Sequence, residues 1–258
     1  MHMGKRHYLI LAVIVTGFLF VGCAGKTTRG KTSDMAVAQA FVDEATQLLG
    51  QSLDKDERGT LKKLIARAKG IMIIPAIGDV SFLFSVGGGN AVMLANTDSG
   101  WTGPVFLSKG TAGFGLQAGV SKQSGFMLYM HEDDVRYLLK TGAVVKGQAR
   151  LTLFTSDYKG NETPEFYESG DVYFVGEHSG LYAGIAIDGG GFSDRIGLNA
   201  IYSGVEGGGP VAILYEVGSM PTGAQRLRDM LKQAVIDEEK VSLSGMTKEK
   251  DGTEVPSN

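Results

Sequence analysis

The stretch that most constrains this chain runs from Ala68 to Gly119, where short apolar segments alternate with Gly, Pro, Asn and Asp. It opens with Ile71–Ile74 closed by Pro75, too short for a helix and suited to a buried strand. Val80–Val86, Ala91–Ala95, Val105–Leu107 and Phe114–Val120 follow with the same bounds. That rhythm predicts consecutive antiparallel strands joined by tight turns. Gly113, Gly115 and Gly119 fall inside an apolar segment. Glycines there weaken a flat strand and point to bends in a curved sheet. The pattern continues in Phe126–Met130, Thr141–Thr155, Gly170–Val175 and Leu181–Ile187. The expectation is an α+β fold: a large, strongly curved antiparallel sheet or barrel-like body, curled or closed to avoid bare edges.

Helices frame this body. Ala38, Phe41, Val42, Ala45, Leu48 and Leu49 keep helical spacing within Asp34–Leu49. A second helix, about Lys55–Lys69, places Leu61, Leu64, Ile65 and Ala68 on one face and Lys55, Arg58, Lys62, Lys63, Arg67 and Lys69 around the others. A basic amphipathic helix can rest on a membrane surface, although Asp54, Asp56 and Glu57 nearby also fit a solvated face. His131-Glu132-Asp133-Asp134 begins a short helix to Lys140, its acidic first turn complementing the helix dipole. Thr222–Lys240 is a last amphipathic helix that brings Leu227, Met230, Leu231, Ala234 and Val235 to one face. Val241–Asn258 is polar and reads as a disordered tail.

The first residues read as an address. Lys5 and Arg6 form a basic region, and Tyr8–Phe20 an apolar one too short to span a bilayer. The sequence Leu19-Phe20-Val21-Gly22-Cys23 ends on the only cysteine and resembles a bacterial lipobox. Residues 1–22 are then a signal peptide, Cys23 the lipidated residue, 23–33 a tether, 34–240 one domain and 241–258 its tail. Acyl chains on Cys23 would anchor the protein stably, since each buried methylene contributes about 0.8 kcal/mol. Ala24 is not the Asp associated with inner-membrane retention, so the expected place is the outer membrane, facing the periplasm.

Ordered motifs then carry a family resemblance. A-K-G-I-x-I-I-P (Ala68–Pro75), the triplet Gly87–Gly89, W-x-x-P (Trp101–Pro104) and G-F-G-L-Q-A-G (Gly113–Gly119) resemble the SYLF domain family. G-L-Y-A-G-I-A-I-D-G (Gly180–Gly189) and N-A-I-Y-S-G (Asn199–Gly204) resemble its second half, in the same order. The match covers roughly residues 34–221. The resemblance implies a non-catalytic domain that binds membrane phospholipid, as phosphoinositide-binding eukaryotic members and bacterial lipoprotein members do. This sequence lacks the family's frequent basic residue near Ser85–Gly87, its aromatic at Ser203 and its acidic residue at the Ser124–Gly125 turn. Head-group specificity is therefore not carried over.

Enzyme and metal readings fail on context. Ser52–Lys55 fits S-x-x-K and Lys140–Gly142 fits K-T-G, but no S-D-N intervenes and the K-T-G follows a helix. Asp54–Gly59 begins like a calcium loop, yet Ile65 stands where a bidentate Glu is needed. Gly113–Ala118 lacks the following helix that a dinucleotide fingerprint requires. His178-Ser179, with Asp171 and Asp188 near in sequence, sits in no nucleophile elbow. Without the leader the histidines are His131 and His178, too few for a zinc site. No cofactor or metal is expected.

Trp101 reads as a core aromatic ahead of an interfacial anchor. Without residues 1–22 the chain keeps 23 Lys and Arg against 28 Asp and Glu, a net charge of −5, which gives no nucleic-acid footprint. The expected partner is membrane phospholipid, anionic if Arg58, Lys62, Lys63 and Arg67 form the head-group site. The alternative is a lipoprotein whose domain binds another envelope protein and touches lipid only through its anchor.

Overall fold

The central strands are apolar on both faces, and helices cover each face. A computed structural model describes residues 31–82, 84–114, 119–144, 146, 151–155, 170–176 and 191–251. Cys23, His178, Ser179, Asp188 and the motif at residues 180–189 lie outside the described residues.

The chain enters through α1 (Lys31–Asp54) and α2 (Thr60–Arg67) and then runs through four long strands. These are β1 (Gly70–Phe82), β2 (Phe84–Thr97), β3 (Gly100–Phe114) and β4 (Gly119–Tyr129). Helix α3 (Glu132–Thr141) follows, then β5 (Leu151–Thr155), β6 (Val172–Gly176) and β7 (Phe192–Asp194). Helix α4 (Ile196–Ser203), a π-helical turn (Ala212–Glu216) and a 3-10 turn (Thr222–Ala224) lead to α5 (Gln225–Asp251).

The strands form one seven-stranded sheet in the order β5-β6-β4-β1-β2-β3-β7. The mixed α+β class is as expected, but closure is not. The sheet is open, with β5 and β7 at its ends, so the barrel-like body is corrected. Covering both faces with helices buries the strands without closing them. The all-antiparallel expectation also changes, because β5 pairs parallel to β6.

Side-chain alternation divides the core. Ile71 and Ile73 point to one face with Val92, Leu94, Phe126 and Leu128. There they meet Ala38, Val42, Ala45 and Leu49 of α1, Leu61, Leu64 and Ile65 of α2, and Leu227, Leu231 and Ala234 of α5. Met72 and Ile74 point to the other face with Met93, Val105, Met127 and Tyr129, under Val135 and Leu138 of α3 and Ile213 and Leu214 of the π-helical turn. A continuous apolar run such as Ile71–Ile74 is what a strand buried on both faces requires.

Pro75 does not end β1. The pairing of β1 with β2 shifts register between Ile73 and Ala76, and with β4 between Ile74 and Ile77. A residue without a backbone N–H is tolerated at such an irregularity. Gly125 also proves to lie within β4, opposite Gly176 of β6, and not in a turn. A Cβ there would meet the Val175 carbonyl oxygen at 2.5 Å, so the close approach of the two strands requires glycine. At the far end, α5 runs to Asp251 in place of the disordered tail expected from Val241, and 252–258 lie outside the described residues. Extending a formed helix by one residue needs no new nucleus, so a polar stretch can continue it.

Asn199 locks α4 to the sheet. Its side-chain carbonyl accepts from the Phe106 N–H at 2.6 Å, and its amide donates to the Phe106 carbonyl at 3.0 Å and to Asp194. Asn199 is 1% exposed, so its removal strands buried backbone groups. Asn199→Ala is expected to lose about 1–3 kcal/mol of stability by urea denaturation. Leu64→Ala, in the core beneath α2, should lose about 2–5 kcal/mol. The exposed Leu243→Ala should stay within about 0.5 kcal/mol of the parent.

Candidate binding site

Helix α2 is placed by its two ends and one face. Gly59 adopts φ 68°, a left-handed conformation that glycine reaches without strain, and turns the chain into the helix. An Asp56 carboxylate oxygen accepts from the Lys62 N–H at 3.0 Å and satisfies a donor of the first turn. Ala68 is extended, and the chain passes directly into β1. Leu61, Leu64 and Ile65 are buried, which fixes the rotation of the helix and turns its basic side chains outward.

The helix is shorter than the expected 55–69, and this divides the four predicted head-group residues. Lys62, Lys63 and Arg67 lie on α2, whereas Arg58 precedes it, exposed, in the turn after α1. Lys63 and Arg67, four residues apart, come together in an open groove of about 660 Å³ between α2 and α5. Ala66 joins them from α2; Val235, Glu238, Glu239, Ser242 and Leu243 line it from α5. Lys62 and Arg58 do not line the groove. Neither Lys63 nor Arg67 forms an ion pair within 4.0 Å with Glu238 or Glu239. The two glutamates escaped the sequence reading. Their signal was their spacing, three and four residues beyond Val235 on the apolar face of the last helix.

The other candidate residues have structural surroundings. Trp101 is in the core, 6% exposed. Glu132 pairs with Arg136 at 2.6 Å, and His131 Nε2 lies 3.4 Å from Asp171. Lys140-Thr141-Gly142 ends α3, where Gly142 at φ 77° donates its N–H to the Leu138 carbonyl at 2.7 Å and opens no strand. Among the described residues no three His, Cys, Asp or Glu side chains could hold a metal ion. No described helix is long and apolar enough to cross a membrane.

The sequence model of one family, Ysc84: Las17-binding protein actin regulator, matches residues 110–234. Over residues 110–234 the chain is similar to a SYLF-type domain. The matched SYLF segment runs from the end of β3 into α5 and includes the Asn199 lock. SH3 domain-containing YSC84-like protein 1 of Xenopus laevis is 26% identical over 193 residues, covering 72% of this chain and 57% of the relative. The chain thus spans little more than half the length of that curated relative. No solved structure matches the chain.

One titration is set by the packing of α3. Burial pushes the Asp134 carboxyl above its ordinary 3.8, opposed by His131 and reinforced by Asp171. An acid with a raised folded-state pKa is easiest to accommodate protonated, so its burden on stability appears as pH rises through 3.8 and then through the folded value. Asp134→Asn should therefore match the parent in strongly acidic solution and exceed its stability near neutrality. Thermal unfolding across pH 3–7 checks that divergence.

Proposed function

We propose that this chain is a lipid-anchored bacterial envelope protein whose SYLF-type domain binds membrane phospholipid without catalysis. In this reading Cys23 carries the acyl chains and holds the protein at the outer membrane, facing the periplasm. The domain makes its own contact through the basic residues of α2 and the turn before it. The observation that carries the proposal is the state of Lys62, Lys63 and Arg67. A short helix pinned by three buried apolar residues displays all three cations, and among the described residues none of them is engaged in an ion pair. A Lys or Arg near an anionic bilayer contributes about 1 kcal/mol, so these residues with Arg58 suffice for a reversible contact.

A second reading draws on the family description, which names a Las17-binding actin regulator, and on the SH3 domain in the relative's name. Under it the domain recognises a protein of the envelope, and lipid is touched only by the anchor.

The chain from Ala24 onward, which keeps every described element and cannot be acylated, separates the two. It should float with anionic vesicles, and the variant R58Q/K62Q/K63Q/R67Q should bind them on the order of a thousandfold more weakly. Equal flotation of parent and variant would remove the site. A stoichiometric protein crosslinked in cells, with no flotation of the chain, would favour the second reading.

A further inference from the structure

The groove between α2 and α5 has a charge pattern that a purely anionic surface does not explain. Its α2 side presents two cations, Lys63 and Arg67; its α5 side presents two carboxylates, Glu238 and Glu239. The four charges cancel in sum, yet no ion pair within 4.0 Å joins the two sides. Between them lie Ala66 and Val235, and Leu243 stands at the groove with 65% of its surface exposed, close in sequence to the exposed Val241. A volume of about 660 Å³ is within the range of small-molecule sites.

This arrangement selects among ligands. A polyanion would be attracted by Lys63 and Arg67 but repelled by two carboxylates in the same groove. A simple cation meets the converse conflict. A ligand with separated negative and positive groups on an apolar body satisfies all four charges and the aliphatic lining at once. Guanidinium suits a phosphate, which it can engage through two N–H donors. Carboxylates suit a primary ammonium, whose N–H groups they accept. A quaternary ammonium would call for an aromatic cage, and no aromatic side chain lines the groove among the described residues.

We propose that this groove binds the head group of a phosphoethanolamine-type zwitterionic phospholipid. The phosphate lies against Lys63 and Arg67, and the ammonium against Glu238 and Glu239. The acyl-bearing part passes over Ala66, Val235 and Leu243. The assignment rests on the membrane-binding reading above and gives it a lipid class. Arg58 and Lys62, outside the groove, add contacts to a general anionic surface.

The test is titration of the chain from Ala24 onward with dihexanoyl phosphatidylethanolamine below its micelle concentration, followed by amide chemical shifts. The phosphatidylcholine and phosphatidylglycerol analogues and free phosphoethanolamine are titrated in parallel. The ethanolamine lipid is expected to bind about tenfold more tightly than the others, with shifts centred on α2 and α5. E238Q/E239Q should lose about tenfold for that lipid without weakening the glycerol lipid, and K63Q/R67Q should weaken every phospholipid. Unchanged circular dichroism of both variants excludes loss of fold as the cause. Equal binding of all head groups, or unaltered ethanolamine-lipid binding by E238Q/E239Q, overturns the proposal. Free phosphoethanolamine binding as tightly as the lipid overturns it as a lipid site. Ethanolamine-lipid binding without flotation on anionic vesicles supports the groove and refutes the surface contact of Arg58 and Lys62. Flotation without ethanolamine-lipid binding does the reverse.

Discussion

The rest of the structure depends on the burial of the central strands on both faces. Ile71, Met72, Ile73 and Ile74 are each fully buried, alternating between two separate cores. A sheet with only one covered face would leave Met72, Ile74 and Met93 in water, and each large apolar side chain so exposed forfeits about 1.5–3 kcal/mol. Helices are therefore needed on each side. On one face α1, α2 and α5 supply Leu49, Leu64 and Leu231; on the other α3 and the π-helical turn supply Leu138 and Leu214. With both faces covered, these helices turn their outward sides to meet a partner.

That requirement produces the basic surface. Turning Leu61, Leu64 and Ile65 toward the sheet leaves Lys62, Lys63 and Arg67 outward, and the short link through Ala68 into β1 allows α2 little freedom to rotate. The second wall of the groove comes from α5, whose Leu227, Leu231 and Ala234 are anchored on the same core. Charges of both signs are thus presented by elements fixed through burial, and a binding surface does not have to be ordered when a ligand arrives. The family match ends at residue 234, just before the α5 residues that line the groove, and it begins beyond α2. The matched segment holds much of the scaffold, while the groove is built from its flanks.

Much of this was legible in the sequence because burial leaves period and punctuation. The apolar segments Ile71–Ile74, Ala91–Ala95 and Val105–Leu107, the helical spacing of Ala38 to Leu49 and the apolar face from Leu227 to Val235 each fall in an observed element, whereas Val80–Val86 and Phe114–Val120, expected as strands, each take in the end of one strand and the start of the next. What escaped depends on tertiary context. Pro75 reads as a strand end, but a register shift absorbs its missing donor and β1 continues to Phe82. The apolar run of the π-helical turn, Ala212–Glu216, has too few residues to show a helical period. Closure into a barrel followed from the problem of bare edges, which says nothing of whether helices will cover the faces. At the site, the cations were visible because they surround an apolar stripe, whereas the opposing Glu238 and Glu239 gain meaning only once α2 and α5 are packed together.

The most direct test of the account is the salt dependence of flotation by the chain lacking Cys23, on anionic and on neutral vesicles. Binding through displayed cations predicts capture by anionic vesicles at low ionic strength and release as salt shortens the Debye length from about 30 Å at 0.01 M to about 3 Å at 1 M. Failure to float at any salt concentration would contradict the account by removing the surface contact of the displayed cations.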